Sequence, residues 1–308
     1  MIDAENAFNR INREVALHNI GFTCPAMHKF LKNSYSEPPR LYLNDGSYIL
    51  SEEGVTRGDN LAMAIYAIGT RQLIESLMKD TLIQVWFADD SACAGKIEDL
   101  FNWYSRVKEK GELYGYFLKD VKCKLVLKDP SLRNKAEELF GTTEDDVKIT
   151  SEGARHLGAA AIGTQEFKRD YIRAKVAKWT KDVEDLSVIA IDEPQAALSA
   201  YNTGLCQRWT FVQRTMNNIS DLFEPLERAI KDKFIPAICG KSVDVMERRI
   251  IALPYRYGGM GIQNPVQTAD REFRISVEIT SPLTDLIFQQ IDDVSVLDND
   301  AVKGKKLR

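Results

Sequence analysis

The chain has little sulfur chemistry and almost no imidazole. Its five cysteines (Cys24, Cys93, Cys123, Cys206, Cys239) are odd in number among 308 residues, far apart and never spaced C-x-x-C. That argues against a disulfide framework or a zinc site and for reduced thiols in a core. The three histidines, His18, His28 and His156, stand apart from any other metal-ligand pattern, which argues against histidine-based metal chemistry. Long apolar runs are missing too: none approaches the roughly 20 residues that cross a bilayer. The opening MIDAENAFNR has no charged start followed by an apolar stretch. No membrane partner is expected, and the expected location is intracellular, in nucleus or cytoplasm. An excess of basic charge is also absent. Lys and Arg total 41 against 45 Asp and Glu, a net charge of -4, which weighs against a nucleic-acid partner unless positive charge is concentrated locally.

What is present is enough apolar material, 44% of residues, for a substantial core in one large or two modest domains. Ile2 and Asp3 read as the end of a strand. A helical pattern runs from Asn9 through Ile11, Val15 and Leu17, and another opens at Pro25 and stops at Pro38-Pro39. Residues 40–51 read as a hairpin turning at Asn44-Asp45-Gly46. Residues 61–79 form an apolar helix. Residues 81–94 (TLIQVWFADDSACA) read as two buried strands joined at an acidic turn. A helix over 97–114 ends at Gly115, a strand covers 124–128, and a short helix carrying Leu132, Ala136 and Leu139 ends near Gly141. A strand pair brackets Glu152 and Gly153. Beyond Phe167 the pattern is helical, over 196–216, 222–234 and 243–251, until the glycines of 258–261. In 168–181, Ile172, Val176 and Trp179 share one helical face, while Arg173, Lys175, Lys178 and Lys181 supply a local basic patch on the other.

Asp89 and Asp90 are adjacent carboxylates flanked by Val85, Trp86 and Phe87 before and Ala92, Cys93 and Ala94 after. In so apolar a setting they call for a neutralising cation. A magnesium ion takes oxygen ligands of this kind, and two such ions clamp the attacking and leaving oxygens of an in-line phosphoryl transfer. An exposed acidic turn is the plain alternative for the pair, and a helix N-cap the alternative for Asp3.

Asp3-Ala4-Glu5-Asn6-Ala7-Phe8 resembles the first catalytic block of retroelement reverse transcriptases, and Phe87-Ala88-Asp89-Asp90 resembles their aromatic-Ala-Asp-Asp hairpin. Residues 54–63 (GVTRGDNLAM) are similar to the family's glycine-aspartate loop leading into a helix, matching at Gly58 and Asp59. Gly115-Tyr116-Phe117 with Lys122 resembles the fourth block. His156-Leu157-Gly158 resembles the strand that grips the primer. Leu253-Pro254, residues 258–262 and Asn264-Pro265 are like a segment beyond the thumb in some element-encoded members. The blocks occur in the family's order across residues 3–265.

The resemblance implies an α+β fold, with an antiparallel palm sheet and packed helices over 1–165, a mostly helical thumb and connection over 166–290, and a tail over 291–308. It implies RNA-directed DNA synthesis from deoxynucleoside triphosphates on a primed RNA or DNA template, with other domains of a parent element protein as partners. Asp3 and Asp89 would ligate two magnesium ions, assisted by Asp90 and the Ala4 carbonyl. Asn6 and Ala7 would present backbone N–H groups to the triphosphate. Phe8 would exclude a 2'-hydroxyl. Arg57 and Gly58 would line the nucleotide pocket, and Lys122 would protonate or hold the leaving pyrophosphate. Gly158, Arg173, Lys175, Lys178 and Lys181 would contact primer or template. Two positions depart from the family: Arg57 stands where glutamine is usual, and Asn60 where proline is. With the fingers expected ahead of Asp3, these departures favour a weak or inactive polymerase. A folded, non-catalytic remnant that binds nucleic acid is the second reading, and another two-metal enzyme, a nuclease or nucleotide cyclase, the third.

Overall fold

The computed structural model describes residues 1–56 and 58–291. The expected tail, 291–308, therefore lies outside the described residues except for Ile291. The chain divides into two compact units, Met1–Thr150 together with residues 287–291, and Ser151–Leu286. Among the described residues no helix is long and apolar enough to cross a membrane.

The first unit is mixed α/β. Its order is α1 (Ala7–Arg10), α2 (Arg13–Thr23), α3 (Pro25–Ser34), β1 (Arg40–Tyr42), β2 (Tyr48–Leu50), α4 (Ala62–Ser76), β3 (Ile83–Phe87), β4 (Asp90–Ala94), α5 (Ile97–Tyr114), β5 (Lys124–Val126), α6 (Arg133–Phe140) and β6 (Lys148–Thr150). The single helix expected from Asn9 is two, because Asn12 caps the second: its side-chain oxygen accepts from the Val15 N–H at 3.2 Å. Gly115 ends α5 at φ 73°, and a Cβ there would lie 1.9 Å from the Arg10 carbonyl oxygen, so no other residue fits.

Residues 1–4 run through the middle of a sheet. Ile2 bridges Ser91 of β4 on one side, while on the other Ala4 bridges Leu118 and Met1 exchanges both backbone hydrogen bonds with Lys124, each at 2.9 Å. The strands thus lie in the order β3, β4, residues 1–4, β5, β6. Contrary to the expected all-antiparallel sheet, β5 and β6 pair in parallel, Lys124 opposite Lys148 through Val126 opposite Thr150. The crossover through α6 returns the chain in the same direction, which a hairpin cannot do. Beneath the sheet, Ile11, Ile20, Leu73, Val107 and Tyr116 are buried in one core.

The second unit opens with the hairpin β7 (Gly153–His156) and β8 (Ala159–Gly163), then becomes helical: α7 (Gln165–Asp192), α8 (Pro194–Ala200), α9 (Cys206–Thr215), α10 (Glu224–Ala229), α11 (Ile235–Cys239), α12 (Val245–Ile251) and α13 (Pro265–Phe288). Thr164 caps α7 by accepting from the Phe167 N–H at 3.2 Å. Ile172, Val176, Trp179 and Val183, three or four residues apart, are buried as one stripe against the other helices. A π turn over Tyr201–Leu205 joins α8 to α9, and another over Ile230–Phe234 joins α10 to α11.

The glycine-rich segment after α12 is a backbone-built loop. Met260 N–H reaches the Ile251 carbonyl at 3.0 Å and Gly261 N–H the Leu253 carbonyl at 2.9 Å. A Cβ on Gly259 would sit 2.0 Å from the Leu253 oxygen. Arg248, buried in an ion pair with both carboxylate oxygens of Glu227 (2.8 and 2.7 Å), donates a further hydrogen bond to the Ile262 carbonyl at 2.7 Å and so anchors the loop.

Candidate functional site

The ladder brings the three carboxylate positions to one end of the first unit's sheet. Ile2 N–H donates to the Ser91 carbonyl at 3.0 Å, and the reverse bond is 3.4 Å. That register sets Asp3 opposite Asp90. Ile2 and Ser91 are buried on one face, so Asp3 and Asp90, each half-exposed, share the other. Residues so opposed have Cβ atoms about 5 Å apart, and like charges there repel.

Asp89 stands in the two-residue turn between β3 and β4, whose first residue, Ala88, has φ 53°. Such turns ordinarily place glycine at that position, so the acidic hairpin carries backbone strain at its tip. The turn is held from below by Tyr116, whose buried hydroxyl donates to the Asp89 carbonyl at 3.0 Å. Burial pushes the Tyr116 phenol well above its ordinary pKa, so it remains a donor.

The Asp3 carboxylate meets Lys122, whose Nζ lies 3.2 Å from Oδ1, with both side chains partly solvated. The Asp3 carbonyl belongs to the strand, accepting from Lys119 N–H at 3.0 Å. Alternation along the ladder directs the Ala4 carbonyl away from residues 117–119, and among the described residues no backbone donor engages it. The donors collected here, three carboxylates and a carbonyl, are all oxygen, which suits a hard divalent cation. Among the described residues, however, no three His, Cys, Asp or Glu side chains already form a group that could hold an ion.

Phe8 packs its ring on Tyr66 with centroids 4.8 Å apart. The Tyr66 hydroxyl is buried with no hydrogen-bond partner among the described residues. Asn6 is exposed at φ 48° and opens the four-residue α1, while Ala7 is buried. So short a helix concentrates little dipole charge, and what this turn offers an anion is the N–H groups of Ala7 and Phe8, which have no backbone acceptor among the described residues. Gly58 is exposed at φ 91°. Arg57 lies outside the described residues.

Two residues that sequence reasoning passed over, and a third that it named only within a block, hold these parts in place. Arg13, buried, donates from Nε to the Gly54 carbonyl (2.9 Å) and from Nη2 to the Ser51 and Glu53 carbonyls (2.8 Å each). With Val55 N–H on the Phe8 carbonyl at 2.7 Å, this docks the glycine loop against the first block. Gln84, buried in β3, accepts from the indole N–H groups of Trp86 (3.2 Å) and Trp103 (2.9 Å) and donates to the Ile74 carbonyl at 3.1 Å, fixing the hairpin to α4 and α5. Tyr116, the third, was noted only as part of a block. A buried arginine or glutamine gives no periodic signal, so only the packing reveals its partners.

In the second unit, Leu157 (φ 48°) and Gly158 (φ 80°) form the tight turn of the β7–β8 hairpin, and the Gly158 carbonyl accepts from Tyr171 Oη at 2.6 Å. Arg173 is exposed but paired with Asp170 at 2.5 Å, and Lys175 lies over the Tyr171 ring at 5.6 Å. Lys178 and Lys181 are exposed. The basic face is thus real, but partly neutralised by its own helix. No family model matches this chain, and neither does any curated protein.

Proposed function

We propose that the chain is a palm-and-thumb piece of a reverse transcriptase, catalysing transfer of a deoxynucleotide from its triphosphate to a primer 3'-hydroxyl. One observation carries this reading: the bridge between Ile2 and Ser91, which joins carboxylate positions 87 residues apart in sequence at the mouth of a strained hairpin. Asp3, Asp89, Asp90 and the Ala4 carbonyl are the residues to hold two magnesium ions, which when bound supply charge compensation on the reacting phosphate oxygens. Tyr116 and Gln84 keep the hairpin in position, and Phe8, braced by Tyr66, closes the space where a ribose 2'-hydroxyl would sit. Lys122, now paired with Asp3, would neutralise the leaving pyrophosphate or give it a proton. The helical second unit, with Gly158 and the exposed lysines of α7, is read as the part that tracks primer and template phosphates.

The test is magnesium-dependent incorporation of deoxynucleotides on a primed homopolymer template. Asp89→Asn is expected to lose about 100-fold or more of any incorporation, corresponding to a few kcal/mol of charge stabilisation. No incorporation by the full chain, or incorporation indifferent to Asp89→Asn, overturns the catalytic reading. The Asp3–Lys122 pair favours the second reading, a folded remnant that binds nucleic acid without catalysis, and binding of a primed duplex without incorporation would select it.

A further inference from the structure

The second unit contains a cavity of about 430 Å³ that the proposed transfer reaction does not use. Its volume falls within the roughly 300–1,000 Å³ typical of small-molecule sites. On one side lie the π turn Tyr201–Leu205 and α9, contributing Asn202, Gln207 and Thr210. On the other lie the glycine loop and the start of α13, contributing Tyr255 and Gln263, with Gln213 between. π turns within helices recur at functional sites because the extra residue displaces side chains from their regular positions.

The chemistry of the lining is specific. Asn202 spends both side-chain N–H groups on the wall itself, one on Tyr255 Oη at 2.7 Å and one on the Met260 carbonyl at 3.1 Å. This pins the Tyr255 ring, which is 63% exposed, as a flat face. Gln213 is likewise consumed, donating to the Pro265 carbonyl at 2.8 Å and accepting from Thr268 at 3.4 Å. The remaining groups are open to a ligand. Among the described residues, the Gln263 side-chain NH₂ and the side-chain amide oxygens of Gln207 and Asn202 have no protein partner, and Gln207 Nε2 makes only 3.4 Å contacts. Glu272, at the margin, is compensated by Arg214 (3.6 Å) and Arg271 (3.5 Å).

With Glu272 compensated, the lining offers no free carboxylate to a metal cation, and its unspent amides disfavour a hydrocarbon. It suits a planar, uncharged molecule with donors and acceptors along one edge. Side-chain amides pair in this way with base edges, and tyrosine rings stack on base faces. We propose that this cavity binds an uncharged nucleobase, stacked on Tyr255 with its hydrogen-bonding edge on Gln263 and Gln207. A free nucleoside and an unstacked base in a single strand present the same chemistry, so both are probes.

The test titrates the full chain, without magnesium, with adenosine, uridine, ribose, and short single-stranded oligo-dA and oligo-U, following saturation transfer to the ligand protons. Tyr255→Ala and Gln263→Leu alter exposed side chains, so the fold, checked by circular dichroism, is retained. Each variant is expected to weaken nucleoside or oligonucleotide binding about tenfold, the scale of one lost stacking or amide contact. Nucleosides binding better than the oligonucleotides identifies a small-molecule occupant; the reverse identifies a strand. Absence of saturable binding by every base-bearing probe, equal binding of ribose, or binding indifferent to both variants overturns the proposal. The nucleoside arm involves neither magnesium, nor incorporation, nor backbone phosphates, so its failure leaves the polymerase reading untouched.

Discussion

At the scale of single residues, the acidic hairpin shows strain held in place by its surroundings. Ala88 adopts φ 53° at a turn position that suits glycine. Ala88→Gly is therefore expected to raise unfolding stability by about 0.5–1 kcal/mol, relief of strain being partly offset by the extra freedom of glycine in the unfolded chain. Denaturant titration measures this, and a loss of stability would show that the alanine methyl contributes packing instead. Phe8 makes a chemical prediction under the proposed polymerase function: Phe8→Ala should raise ribonucleotide use relative to deoxynucleotide use, because the 2'-hydroxyl no longer meets a ring. The thiols report on the core. Burial pushes Cys93 up to about 11 and raises Cys123 as well, while Cys239 is exposed. At about pH 8, iodoacetamide should label Cys239 first and reach Cys93 and Cys123 only on unfolding, since the thiolate is the reactive form.

At the scale of elements, β3 and β4 depend on one amide. Gln84→Leu removes the acceptor shared by the Trp86 and Trp103 indoles and the donor to Ile74. A cost of about 2–4 kcal/mol follows from leaving buried polar groups unpaired, visible as a lower denaturant midpoint by tryptophan fluorescence. Other elements were readable beforehand. The stripe of Ile172, Val176 and Trp179, the acidic turn at 88–89 and the stop at Gly115 each leave a local signature, of period or of backbone conformation. The parallel pairing of β5 with β6 did not, because strand partners are chosen by the crossover through α6 and not by any feature of Lys124–Val126. Within the candidate site the acidic pair was legible as a turn, but the strands flanking it, expected buried, expose Ile83, Val85 and Phe87. Arg13 and Gln84 were not legible, since each looks like an ordinary polar residue until its buried partners are known.

At the scale of the whole molecule, two compact units each have their own core. In the second, the Arg248–Glu227 pair is nearly out of solvent, with side chains 7% and 12% exposed. Glu227→Ala strands the guanidinium and should cost about 3–5 kcal/mol, whereas Glu227→Met combined with Arg248→Leu should recover most of that loss. Calorimetry that resolves the units should show the single change lowering the second unit's transition while Gln84→Leu lowers the first's.

Residues 1–4 occupy a central place in the first unit's sheet, with neighbours that come some 90 and 120 positions later. A strand whose partners lie so far along the chain gives the unit a high contact order, because its loops must close before any ladder bond rewards them. During synthesis this segment has to wait for most of the unit to emerge from the ribosome. Refolding of the first unit should accordingly be the slower of the two, and residues 1–4 the part most open to capture by a foreign strand in the interval.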